Sequence, residues 1–347
     1  MERKEIVAGF VQLGKLMSAL GHRGTWNDYS LGVSEREYNE LQELIKRQKQ
    51  FNGWFTEESV CRSLTSLGEQ LSGSTLNNWL APYRFSNDPK KVAIIMAGNI
   101  PLVGFHDMLC VLLSGNTAVC KLSSDDRTLL PALGRVLSDF VPGLEDRLVF
   151  TEGKIGEVHA VISTGSDNST LYFEQYFGKY PHIFRSNRTS LAVLKGDETP
   201  EELRLLGNDI FHYFGLGCRN VSHIMVPEGF DLNRIFEAVY PFGEIIHHHK
   251  YANNYDYNRA VFLLNQVPFL DNHFVMLRES SDLFSPLAVV HYQYYRSGKE
   301  ISEYLTLNES KIQAIIGKGF IPFGQAQCPT LADYADGVDT MEFLTRL

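Results

Sequence analysis

Residues 92–96 read Val-Ala-Ile-Ile-Met, a short apolar run set between Lys90-Lys91 and Gly98-Asn99. A run that does not alternate with polar residues, and that ends in charge on one side and a turn on the other, fits a strand buried on both faces. Such strands belong to parallel sheets, whose connections are helices. The next residues supply one: 102–113 are apolar enough for a helix, Gly115-Asn116 ends it, and Thr117-Ala118-Val119-Cys120 returns as a second strand. The return comes about 25 residues after the first strand, the length of a βαβ unit. A helix over 126–140 and strands over 147–150, 158–162, 182–185 and 190–194 continue the alternation. The expectation is an α/β chain with a doubly wound, Rossmann-type nucleotide-binding sheet.

Residues 1–85 read as helical. Ile6, Phe10, Leu13 and Met17 recur at helical spacing while Gln12 and Lys15 interrupt the apolar run, so the start is an amphipathic helix and not a signal peptide. Ser34-Glu35-Arg36-Glu37 is a capping box leading Tyr38, Leu41 and Leu44/Ile45, and Thr56 opens a helix striped by Val60, Leu64, Leu67 and Leu71. Further on, Thr199-Pro200-Glu201-Glu202 starts a helix expected to run to about Tyr213 and to stop at Gly215-Leu216-Gly217. A second α/β region extends to about 315. The expected division is therefore 1–195 (helical N-terminal region and nucleotide-binding domain), 196–315 (catalytic α/β domain), and 316–347, a segment returning to the first domain or to an oligomer interface.

With 347 residues, 44% apolar and 21% charged, the chain has ample core for a globular protein. Its net charge of −9 carries no Lys/Arg block, so a nucleic-acid partner is not expected. No apolar run is long enough for a membrane span. The cysteines at 61, 110, 120, 218 and 328 include no CxxC pair, which suits a reducing compartment, the cytoplasm, better than a disulfide framework or zinc ribbon. His247-His248-His249 would put 247 and 249 on one face of a strand, yet no acid or cysteine stands beside them at ligand spacing, and no metal is expected. Residues 251–257, YANNYDY, read as a surface loop or a wall of an acyl channel.

Five short stations follow one another: Asn99 after the first strand; Gly115-Asn116-Thr117-Ala118-Val119-Cys120-Lys121; Ser163-Thr164-Gly165-Ser166; Gly215-Leu216-Gly217-Cys218; and Asp282-Leu283-Phe284-Ser285-Pro286. Singly they are ordinary: a small packed cysteine, a turn asparagine, a solvated lysine, a common turn. In order and spacing, over about residues 85–295, they resemble the landmarks of the aldehyde dehydrogenase superfamily. Within it the chain looks most like the acyl-CoA reductases of the bacterial luminescence type, including Ile321-Pro322-Phe323-Gly324-Gln325 and residues 339–344.

The resemblance implies Cys218 as nucleophile, with the backbone N–H of 218 and the side-chain amide of Asn99 as oxyanion donors. It puts Lys121 near the adenosine ribose, and the Thr164-Gly165-Ser166 turn close to the pyrophosphate or nicotinamide ribose. Asp282 stands where the family has a ribose-binding Glu, so its contact would be shorter or water-bridged. A K-P-S-E motif reads Lys121-Leu122-Ser123-Ser124 here. Ser124 thus replaces the acid that would repel a 2′-phosphate, so NADPH is accepted and NADH stays open. Where hydrolytic relatives carry a general-base Glu, this chain has Arg185-Ser186-Asn187-Arg188-Thr189-Ser190, without a carboxylate. An acyl-enzyme here would outlast water attack. Arg219 and His212 are candidates for activating the thiol by sequence proximity alone.

An acyl thioester exchanges onto a thiolate at little cost, and the new thioester carbonyl is electrophilic enough for hydride. The expected function is NADPH-dependent reduction of an acyl-CoA or acyl-carrier thioester to the aldehyde. From the resemblance come long acyl chains, an acyl-protein synthetase partner and a homo-oligomer. Two alternatives remain: a CoA-acylating aldehyde dehydrogenase running oxidatively, and a cofactor-binding protein without turnover.

Overall fold

The structure, a computed structural model, describes residues 2–86, 88–165 and 167–347. The chain divides into two compact units, Met1–Ser186 with Thr330–Leu347, and Asn187–Pro329.

The first unit opens with helices α1 (Arg3–Gly21), α2 (Glu35–Phe51), α3 (Glu57–Gln70) and α4 (Gly73–Leu80). Its capping box closes as the sequence suggests: the Ser34 N–H donates to Glu37 at 2.8 Å and the Glu37 N–H to the Ser34 hydroxyl at 3.3 Å. Helix α1 buries Ile6, Phe10, Leu13 and Met17, and α3 buries Val60 and Leu64. The two helices meet backbone to backbone at a glycine pair, for a Cβ on Gly14 would lie 2.9 Å from the Gly68 carbonyl and one on Gly68 would lie 2.8 Å from the Gly14 carbonyl. Strands β1 (Lys91–Ile95), β2 (Thr117–Lys121), β3 (Leu148–Thr151), β4 (Ala160–Thr164) and β5 (His182–Arg185) alternate with α5 (Phe105–Leu113), α6 (Leu129–Phe140) and α7 (Asp167–Phe177). The sheet order is β3-β2-β1-β4-β5, with every pair parallel. From β1 the chain works outward through β2 and β3 and then crosses back to β4. The carboxyl ends of β1 and β4 therefore flank the topological switch point, the place where open α/β sheets take ligands.

Thr330–Leu347 completes this unit. Trp79 Nε1 donates to the Tyr334 hydroxyl at 2.9 Å, Asn116 Nδ2 to the Leu344 carbonyl at 3.3 Å, and Arg185 to the Thr340 hydroxyl at 3.0 Å.

The second unit holds β6 (Thr189–Val193), α8 (Pro200–Phe211), β7 (Val221–Pro227), α9 (Asn233–Val239), α10 (His249–Leu264), β8 (Leu270–Asp271), β9 (Met276–Glu279), β10 (Val289–Tyr295), α11 (Gly298–Leu307) and β11 (Ile312–Gly317). Its sheet order is β11-β6-β7-β10-β9-β8, parallel except for the short antiparallel edge pair β8–β9. Between β6 and β7 the register slips. Ser190 pairs with Val221 and Leu191 with His223, which leaves Ser222 as an extra residue in β7.

Three expectations change. The boundary falls at 186/187 and not near 195, because residues 189–193 are a strand of the second sheet, and residues 316–329 stay in the second unit because β11 pairs with β6. Residues 251–257 are helix, not loop: Tyr251, Tyr255, Asn258 and Phe262 form one buried stripe of α10, a periodicity masked by the Asn and Asp residues on its other faces. His247 ends a 3₁₀ segment and His249 begins α10, so the trio has no strand faces to share. Among the described residues, no helix is long and apolar enough to cross a membrane.

Candidate functional site

In the first unit, Asn99 is exposed in the loop that follows β1. Gly98 beneath it lies against the turn after β2, where a Cβ would meet Ser123 Oγ at 2.6 Å. The loop's other hold is Asp126, 7% exposed, whose Oδ2 accepts the Leu102 N–H at 2.8 Å. Leu102 has φ +61°, a left-handed conformation that costs a non-glycine residue about 1 kcal/mol or more. Burial pushes the Asp126 carboxyl up to about 6, against the opposing pull of the Leu102 N–H, and its Oδ1 has no protein partner.

Lys121 ends β2. Its amine donates to the carbonyls of Glu152 at 3.1 Å and Gly153 at 2.7 Å, which fixes its charge at the sheet's carboxyl edge. Ser124 is exposed in the next turn. Thr164 ends β4 and Gly165 follows it; Ser163 Oγ beside them is buried without a partner, and the Gly165 N–H donates to the Arg185 carbonyl at 3.3 Å. Ser166 lies outside the described residues. The carboxyl edge of this sheet thus gathers Asn99, Lys121, Ser124, Thr164 and Gly165, which bring small side chains and a fixed cation, with the buried Ser163 Oγ beside them. Such an edge suits a dinucleotide.

Arg185 has a structural task. Its guanidinium grips Asp107 in a bidentate pair at 2.5 and 2.8 Å. Burial opposes its charge, and Asp107 more than restores it, raising its pKa. Arg188 donates to the Ile312 carbonyl at 3.1 Å.

In the second unit Cys218 is exposed on the turn between α8 and β7. Before it, Tyr213 (φ +53°), Phe214 (φ +60°) and Gly215 (φ +80°) are all left-handed, so the chain leaves α8 through strained backbone. One buried side chain holds this path. Asn220 accepts the Gly217 N–H at 2.8 Å and donates to the carbonyls of Asp209 (3.0 Å), Ile210 (3.2 Å) and His212 (2.9 Å), closing the orphaned end of α8. Ser190 Oγ donates to the Cys218 carbonyl at 3.0 Å. Arg219 Nε donates to the Ala326 carbonyl at 2.5 Å, and Asp209, pushed up to about 6 by burial, accepts the N–H groups of Gly324 and Ala326. His212 is the C-cap of α8 rather than a residue within it.

Asp282 is exposed in the loop between β9 and β10, and its main-chain carbonyl is held from below by His223 and His291. The loops of Cys218 and Asp282 meet on the start of one strand: Ser190 of β6 holds the first, while Thr189 bonds Ser222 (2.7 Å), which donates to the Leu283 carbonyl (2.9 Å). Sequence reasoning missed Asn220, Asp126 and the Asp107–Arg185 pair. The Asn after Cys-Arg carried a weak signal, since a polar residue just before an apolar strand is a candidate cap; the other two carried none.

The Acyl-CoA reductase (LuxC) family model matches residues 28–168, a stretch that holds Asn99, Lys121, Ser124, Thr164 and Gly165 and ends before Cys218. No curated protein matches the sequence. Aldehyde dehydrogenase 21 from Physcomitrella patens, solved with the reaction product succinate, superposes with TM-score 0.63 at 12% identity, over 92% of this chain and 74% of that one. The NAD+ complex of an aldehyde dehydrogenase from Bacillus cereus gives 0.63 at 13% identity, over 91% and 72%. HpcC from Thermus thermophilus gives 0.63 at 14%, over 91% and 70%. The chain therefore has the aldehyde dehydrogenase fold, and its residues 28–168 are similar to the acyl-CoA reductases.

Proposed function

We propose that this protein reduces a long-chain acyl thioester, acyl-CoA or acyl carrier, to the aldehyde through a thioester on Cys218, using NADPH. The observation that carries the reading is the Cys218 turn, an exposed thiol on strained backbone fixed by a buried, hydrogen-bonded Asn220. The Cys218 thiolate attacks the acyl carbonyl, the carbon–sulfur bond to the donor breaks, and the donor leaves as its thiolate. The N–H of residue 218 and the Asn99 amide are assigned to the oxyanion. Residues 185–190 carry no carboxylate, and Arg185 is committed to Asp107, so nothing there activates water against the acyl-enzyme.

The nicotinamide, when bound, supplies the hydride. Lys121, Ser124, Thr164, Gly165 and Ser166 are assigned to holding that cofactor on the first unit, and Asp282 to a ribose hydroxyl. Neutral Ser124 and the nearby Lys121 charge favour the 2′-phosphate of NADPH. An acyl-protein synthetase as acyl donor and a homo-oligomeric state are part of the same reading.

The test is intact-protein mass after mixing with a long-chain acyl-CoA. The expected result is one acyl adduct, absent in Cys218→Ala and discharged as aldehyde by NADPH more readily than by NADH. Asn99→Ala should slow adduct formation on the order of 10²-fold. No adduct on the native protein, or an undiminished one in Cys218→Ala, overturns the reading.

A further inference from the structure

Three consecutive carbonyls of the Asp282 loop are each gripped by a side chain. The Tyr304 hydroxyl of α11 donates to the Ser281 carbonyl at 2.9 Å. His223 Nδ1 of β7 and His291 Nδ1 of β10 converge on the Asp282 carbonyl at 3.1 and 2.9 Å. Ser222 Oγ donates to the Leu283 carbonyl at 2.9 Å. A carbonyl only accepts, so both imidazoles carry their proton on Nδ1. Burial holds His223 at about 4 and lowers His291 as well, which keeps both rings neutral, and both Nε2 atoms are buried without a protein partner.

The register of the sheet explains the convergence. His291 pairs with His223 on neighbouring parallel strands, so the two rings leave the same face. Ser222 would ordinarily point to the opposite face. It is the extra residue at the β6–β7 irregularity, and a bulge re-aims a side chain, which brings residues 222 and 223 to one loop. Tyr304 stacks on His223 with ring centroids 5.1 Å apart, and the Thr189 hydroxyl lies 2.7 Å from that of Ser222.

A surface loop needs no such fixing to be folded, and here four donors grip the main chain on either side of one exposed carboxylate. We propose that Ser222, His223, His291 and Tyr304 are positioning residues that hold the Asp282 carboxylate in register for the cis-diol of the nicotinamide ribose. The inference rests on the ribose role assigned to Asp282. It adds that the shorter Asp works because its backbone is held still.

The test separates cofactor binding from acyl transfer. NADPH affinity is read by fluorescence titration, and Cys218 acylation by intact mass, for Tyr304→Phe, Ser222→Ala, His291→Leu and His291→Asn, each alone and with Asp282→Ala. Tyr304→Phe keeps the ring stack and Ser222→Ala keeps the strand, so neither depends on a repacked core. Each is expected to weaken NADPH binding about 3- to 10-fold, the loss of one hydrogen bond. Acylation of Cys218 should proceed at the native rate. His291→Asn, whose amide nitrogen falls near the place of Nδ1, should recover most of what His291→Leu loses. On the Asp282→Ala background the clamp substitutions should cost nothing further.

Unchanged NADPH affinity in the clamp variants beside a weakened Asp282→Ala overturns the clamp and spares the ribose role. Equal losses with and without Asp282 also overturn it, as would an acylation rate that falls in step with affinity. Native affinity in Asp282→Ala removes the ribose role and the clamp's purpose together. An absent acyl adduct on the native protein would instead strike the broader function.

Discussion

The loop after β1 and the turn before β7 solve one problem with different chemistry. Each carries a residue assigned to the acyl carbonyl, each contains left-handed non-glycine backbone (Leu102; Tyr213 and Phe214), and each has a buried polar side chain bonded to its main chain, Asp126 in the first and Asn220 in the second. Asp126 holds the first through a single bond and leaves an oxygen unsatisfied. Asn220 holds the second with one accepted and three donated bonds. The Asp126 hold is therefore sensitive to protonation and the Asn220 hold is not. A neutral amide does not titrate and is a fixed strut, whereas a buried carboxyl is a strut whose strength depends on pH.

The contrast between charge-held and amide-held structure can be broken at three places. The largest effect is expected from Arg185→Met, which leaves Asp107 buried and unpaired; urea unfolding should show a loss of about 3–5 kcal/mol. A loss under 1 kcal/mol would mean that ionic bonds do not organise the first unit. Asn220→Ala comes next. Several bonds at ~1 kcal/mol each, less what water restores, give about 2–3 kcal/mol. The same variant should acylate slowly on residue 218, because the turn relaxes toward ordinary backbone. Native acylation kinetics would show that the strained path does not set the thiol's placement.

The smallest effect is a slope and not an offset. Asp126 has a folded-state pKa near 6 against ~3.9 unfolded, so its favourable contribution is complete below about pH 4 and is lost as pH rises through about 6. Asp126→Asn keeps an acceptor for Leu102 and removes the titration. Relative to the native protein its urea midpoint should therefore improve between pH 4 and pH 7. A difference that is flat across that window would show that the carboxyl is not burdened by burial.

The first strands of the first sheet and the helices after β1 and β2 were legible because buried parallel strands are continuous apolar runs, whereas α7 was not seen and β6 was read on from the first sheet although it belongs to the second. The capping box of Ser34 was legible because its partner, Glu37, lies three residues on. Residues 251–257 were misread because Asn, Asp and Tyr suggest loop by type, while the helical stripe Tyr251, Tyr255, Asn258 and Phe262 needs a longer window to appear. Residues 185–190 were legible only as a stretch without a carboxylate; that Arg185 commits its charge to Asp107, 78 positions earlier, no local pattern could tell. The anchors of the Asp282 loop come from positions 222, 223, 291 and 304, which only the parallel pairing of β7 with β10 makes neighbours.

The extra residue in β7 also has a consequence for how chains of this kind tolerate length changes. Removing Ser222 would restore an uninterrupted ladder between β6 and β7, and by pairing alone the sheet would gain. The deletion would also shift every residue on one side of it by half a repeat, so that His223 could no longer face His291, or the Cys218 turn would be dragged along the strand. A one-codon deletion here would leave a more regular sheet under a disordered pair of loops.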